Sequence, residues 1–153
     1  IVAASEENSP EKLRRIMESY FLENAKEDIC LIYIGHGEPE GWPLNGRRHQ
    51  TTLTYTKLNL ILVHHEGNLI LVNHCCHAGA AEKSLKSHQG DSLLLAAMPE
   101  EFAGTPHKFL KTIFRGWKAR TYFCIDDAHT TEGHRPVVIG NLKLQTLMYP
   151  EKR

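Results

Sequence analysis

The sequence predicts an α/β fold in which a mostly parallel central sheet is flanked by helices. Three observations carry that expectation. The runs "DICLIYIG", "NLILVNHC" and "SLLLAAM" are short and apolar with no polar alternation, as strands covered on both faces are. Segments with helical spacing lie between and around them, and alternating strands and helices make a layered sheet. Two of the runs end in chemistry-bearing residues, Gly35-His36-Gly37 and Cys75-Cys76-His77-Ala78-Gly79. Functional groups gather at the carboxyl ends of parallel strands.

Taken in order, Ile1 to Ala4 reads as the end of a strand. "SPEKLRRIMESYFLENAK" reads as a helix, with Ser9 as N-cap, Pro10 at the first position and Glu11 in the first turn. Leu13, Ile16, Met17, Tyr20 and Phe21 fall on one face at three- and four-residue steps. Glu38 to Gln50 carries Gly, Pro, Asn and Arg and reads as a loop. A short helix is expected around Lys57 to His64, then a turn at Glu66-Gly67-Asn68 and the second strand. The third strand follows, and Thr105-Pro106 opens a helix to about Trp117. "RTYFCI" and "PVVIGNLKLQTLMYP" close the chain with strand character. No internal repeat or low-complexity segment interrupts this order.

The 153 residues make one domain's worth of chain, 41% apolar and 24% charged, as in ordinary globular proteins. Eighteen basic and eighteen acidic residues cancel, so no global field draws the chain to nucleic acid or anionic lipid. No apolar run reaches the length of a membrane span, and the start has no signal-peptide layout. Because it begins at Ile1, the chain reads as an excised or processed domain. Cys30, Cys75, Cys76 and Cys124 lack the density of a secreted disulfide scaffold, so an intracellular, cytoplasmic setting is expected.

The stretch "LVNHCCHAG" admits three chemistries. A zinc site built from His74, Cys75, Cys76 and His77 fails because consecutive strand residues point to opposite faces. A redox pair is disfavoured because vicinal cysteines are not a C-x-x-C arrangement. A nucleophilic cysteine needs an imidazole, oxyanion donors and exposure at a strand end, and two such strands side by side would bring His36 and a cysteine into one crevice. Against this stands the ordinary fate of a free cysteine, burial in the core.

"YIGHG" followed forty residues later by "CHAG" resembles the catalytic blocks of the caspase and metacaspase superfamily. In metacaspases the blocks resemble YSGHG and DSCHSG. The resemblance runs from Ile1 to Tyr149, without the family's first strand and helix, and implies a caspase–haemoglobinase-like sandwich. It implies a cysteine endopeptidase acting on protein or peptide substrates. His36 would serve as acid–base, Cys76 as nucleophile, and the amides of Gly37 and Cys76 as the oxyanion donors. Cys75 would pack inward. His74, Ala97, Met98 and Trp42 are the substrate-contacting residues it suggests. His74 stands where metacaspases that cleave after Arg or Lys carry an acid, and "LLLAAMPEEF" lacks the arginine of caspases. Neither a basic nor an acidic P1 preference therefore carries over.

The span from Gly79 to Asp91 is short for a processing linker, so a functional single chain is expected, with Lys83 or Lys86 as the sites of any nick. The pairs Arg14-Arg15 and Arg47-Arg48 read as solvated surface. No metal or other cofactor is expected; for calcium, Asp126 and Asp127 with His129 and His134 fall short of a site. Partners are confined to a peptide substrate and to a second copy or the rest of a larger protein. A catalytically silent caspase-like scaffold that regulates a protease is the alternative reading.

Overall fold

A computed structural model describes residues 10–44, 52–104, 109–119 and 136–142. The strand at Ile1 to Ala4, the Ser9 cap, Arg47-Arg48, "RTYFCI" and the acids at 126 and 127 lie outside them. So does the end of the closing strand.

Helix α1, Pro10–Glu23, starts on the proline and carries Glu11 in its first turn. Arg14 bridges Glu11 at 2.7 Å and Glu18 at 2.6 Å, the three- and four-residue pairs that support an exposed helix face. The Arg14 hydrogen bond above all, with Arg15 behind it, holds the Glu11 carboxyl down at about 2. The inward stripe is narrower than its spacing predicts: Met17 and Phe21 are buried and Leu13 partly so, while Ile16 and Tyr20 are exposed. Asn24 ends the helix by donating from its backbone and its side chain to the Tyr20 carbonyl.

Strand β1, Ile29–Ile34, pairs in parallel with β4, Leu69–His74, and β4 with β5, Ser92–Ala96. Strand β6, Val137–Gly140, joins β5 antiparallel, giving the order β1-β4-β5-β6. The mixed α/β class with a mostly parallel sheet is thus present. One expectation is corrected. β1 was read as covered on both faces, but Cys30, Ile32 and Ile34 are exposed and alternate with half-buried residues. Among the described residues β1 is an edge strand, with apolar residues at both sets of alternating positions, a pattern that hides its edge position.

The second correction lies in the region read as a loop. Gly41–Pro43 forms β2, paired antiparallel with β3, Thr52–Thr54. Thr54 then caps helix α2, Tyr55–Leu62, its hydroxyl accepting from the Lys57 N–H at 3.2 Å. α2 buries Tyr55, Leu58, Ile61 and Leu62. Residues Ala78–Leu85, the nearer part of the span weighed as a linker, instead form a 3₁₀ segment that buries Ala78, Gly79, Ala80, Ala81 and Ser84. Lys83 and Lys86 are exposed, but Lys83 lies on this packed segment and Lys86 is its C-terminal cap.

Helices cover both faces of the sheet. On one side Tyr55 of α2 reaches Asn73. The next residue, His74, points the other way and stacks on Phe109 of helix α3, Phe109–Ala119, at 5.9 Å between ring centres. β4 is the centre of this packing: Leu69, Leu71 and Val72 have no exposed surface. Each such side chain contributes on the order of 1.5–3 kcal/mol over its exposed state.

Candidate functional site

The register of β1 against β4 sets the site. Ile34 lies beside His74, and Gly35 N–H reaches the His74 carbonyl at 3.4 Å. The two strands therefore release their next residues, Gly35-His36-Gly37 and Cys75-Cys76, side by side. The turns touch at Gly37, where a Cβ would lie 2.0 Å from the Cys76 carbonyl oxygen and 2.6 Å from the Cys75 sulfur. Only a residue without a Cβ allows that approach. Tyr33 fixes the upper turn by donating its hydroxyl to the His36 carbonyl at 2.7 Å, and its ring stacks on Trp42 at 4.2 Å.

The two cysteines have different surroundings. Cys75 is 1% exposed, and its thiol donates to Asn73 Oδ1 at 3.2 Å. Burial pushes this thiol up to about 12, so it stays protonated and unreactive at neutral pH. Cys76 is half-buried, and its thiol donates to the Gly104 carbonyl at 3.3 Å. His36 is exposed, and among the described residues its ring makes no hydrogen bond. The backbone N–H groups of Gly37 and Cys76 are likewise not engaged by any described residue. Imidazole, thiol and two open amide donors are thus carried by two touching turns, without a thiol–imidazole hydrogen bond.

The turn after β4 is tied down on its far side. His77 adopts a left-handed conformation, φ 54° and ψ 28°. Its N–H bonds the Phe102 carbonyl at 2.8 Å, and its ring Nδ1 donates to the Glu100 carbonyl at 2.7 Å. Gly79 N–H bonds the Met98 carbonyl at 3.0 Å, and Lys83 pairs with the Glu100 carboxylate at 2.5 Å. The segment after β5 therefore forms one wall of the site and supplies the carbonyl that holds the Cys76 thiol.

Of the proposed substrate contacts, Trp42 is 2% exposed, and Ala97 and Met98 have no exposed surface. As placed, these three support the walls from within and offer no side chain to a peptide. His74 is half-buried against Phe109, on the α3 side of the sheet.

Sequence reasoning passed over Asn73, the residue that organises the interior of the site. It has no exposed surface, and its carboxamide meets four partners. Oδ1 accepts from Trp42 Nε1 at 3.0 Å and from the Cys75 thiol. Nδ2 donates to the Tyr55 hydroxyl at 3.2 Å and to the Ala78 carbonyl at 2.9 Å. One amide so joins β2, α2, β4 and the turn that carries Cys76. The signal was available: a lone amide in the apolar run "LILVN" must find partners once buried.

Among the described residues, no group of three or more His, Cys, Asp or Glu side chains converges to hold a metal ion. No helix among them is long and apolar enough to cross a membrane. No protein-family model, curated protein or solved structure matches the chain.

Proposed function

We propose that this domain is a caspase-like cysteine endopeptidase with His36 and Cys76 as its catalytic dyad. The observation that carries the reading is the contact between the Gly37 and Cys76 backbones at the ends of two neighbouring parallel strands. In that geometry Cys76 sulfur attacks the carbonyl carbon of a peptide bond while His36 removes the thiol proton. The amides of Gly37 and Cys76 receive the oxyanion. His36 then returns the proton to the leaving amine, a thioester forms on Cys76, and water releases the acid. Cys75 takes no part, because its thiol is buried and held protonated.

A second reading rests on its own observation. The Cys76 thiol donates to Gly104 rather than to His36. A caspase-like scaffold that binds a partner protease would keep its thiol in that arrangement.

Peptidyl chloromethyl ketones bearing Arg, Lys, Asp or Gln at P1, with mass mapping of the adduct, separate the two. The endopeptidase reading expects one P1 class to modify Cys76 at least about tenfold faster than the others, with hydrolysis of the matching peptide. Equal, slow modification by all four, without hydrolysis, leaves the scaffold reading.

A further inference from the structure

At the opposite end of the sheet from Cys76, two histidines meet across 23 residues of chain. His65 lies after α2 and has no exposed surface, and His88 lies before β5 and is half-buried. His65 Nδ1 and His88 Nε2 are 2.8 Å apart. Each outer nitrogen faces a backbone carbonyl: His65 Nε2 faces Glu27 at 2.7 Å, and His88 Nδ1 faces Gly90 at 3.0 Å.

The proton count follows from these partners. A carbonyl oxygen only accepts, so His65 carries a proton on Nε2 and His88 carries one on Nδ1. If both rings were neutral, each inner nitrogen would then hold a lone pair. Two lone pairs would face each other at hydrogen-bond distance with nothing between them. One more proton resolves the contact. A metal ion fits the distance less well, since two imidazoles on tetrahedral zinc stand about 3.3 Å apart.

We propose that His65 and His88 form a proton-binding site, an imidazole–imidazolium bridge in which one proton is shared between His65 Nδ1 and His88 Nε2. The bridge ties together the three connections that enter β1, β4 and β5. Those connections are already in close backbone contact. A Cβ at Gly67 would lie 2.2 Å from the Glu27 carbonyl oxygen, and one at Gly90 would lie 2.1 Å from the Gly67 carbonyl oxygen. Glu66 and Gly67 both donate to the Ala25 carbonyl, and Gln89 reaches the Val63 carbonyl at 2.6 Å.

The surroundings admit one proton and resist a second. Phe21 of α1 presents a ring to His65 edge-on at 5.3 Å. Glu27 offers its carbonyl, and its carboxylate, like those of Glu66 and Asp91, belongs to an exposed residue. The side chains of His64 and Lys86 are also exposed. Burial first, and then the neighbouring His65, holds His88 below its ordinary range, while Asp91 acts in the opposite sense. Asp91 is itself bonded by Asn141 Nδ2 at 2.9 Å.

The sign of the pH dependence is set by both steps. Below about pH 6.5 the unfolded chain takes up protons that His88 in the fold resists, so stability falls as pH drops. Between about pH 6.5 and the upper step the unfolded chain gives up protons while the pair still holds one, so stability falls again and levels off once the shared proton has left. The maximum lies where the pair holds one proton.

The test is long-range proton–nitrogen NMR on the full chain labelled with ¹⁵N-histidine, between about pH 5 and pH 9. The expected result is two separated titration steps for the pair, with nitrogen–nitrogen coupling between His65 Nδ1 and His88 Nε2 in the window between them. His88→Gln places an amide N–H where the shared proton was and needs no protonation. In that variant the fall in Tm between about pH 6.5 and pH 8, below the range where Cys75 acts, is expected to vanish, whereas the unaltered chain drops by about 3 °C over its upper step. Two neutral rings without coupling throughout, or an unchanged pH profile in His88→Gln, would overturn the proposal. So would a zinc-dependent rise in Tm that requires both histidines.

Discussion

Gly37 and Cys76 occupy the same small volume: a Cβ on the first would lie 2.0 Å from the carbonyl oxygen of the second. The contact fixes the two turns against each other and, with them, the positions of His36 and Cys76. Because the obstacle is backbone, it cannot be relieved by a rotamer change.

Gly37→Ala is therefore expected to separate the turns. The cost is about 1–3 kcal/mol, as for other overpacked sites. Urea unfolding measures it, and thiol labelling of the same protein is expected to show loss of any His36 influence on Cys76.

Asn73→Leu tests the buried amide. It removes four partners at once and leaves the Trp42 N–H and the Ala78 carbonyl without their bonds to the side chain. Each such group costs about 1–3 kcal/mol when left unsatisfied, so a total loss of at least ~2 kcal/mol is expected in a denaturant titration. Trp42→Phe removes one bond and also leaves part of the buried indole's volume empty, so its loss is expected to be about 1–3 kcal/mol.

Cys75 is expected to escape thiol reagents in the folded protein at neutral pH and to be labelled once the chain is unfolded. Its thiol also gives a signed pH effect. The folded pKa, pushed up to about 12, lies above that of the unfolded chain. The unfolded state thus loses the proton first, and stability is lost as pH rises from roughly 8.5 toward the folded value. Alkaline unfolding is expected to be less steep in Cys75→Ala than in the unaltered chain, followed by circular dichroism.

What the sequence disclosed, and what it concealed, depends on whether the deciding contact is local. The runs ending at His36 and Cys76 were legible because apolar strands followed by glycine-rich turns leave a local signature. Whether each strand was central or at an edge was not. "ICLIYI" and "LILVNH" have similar composition, yet Ile34 is exposed and Leu71 is enclosed. That difference comes from neighbours, not from the strand itself. The short pairing of Trp42 with Leu53 was hidden in a stretch rich in turn residues. Asn73 carried a readable warning in its isolation, whereas nothing local joins His65 to His88.

The central claim is that His36 governs the reactivity of Cys76. The direct measurement is the pH dependence of Cys76 alkylation by iodoacetamide, followed by mass mapping, in the unaltered chain and in His36→Ala. The account expects Cys76 to react at neutral pH at least about tenfold faster in the unaltered chain than in His36→Ala. Equal Cys76 rates in the two proteins across the pH range would contradict it.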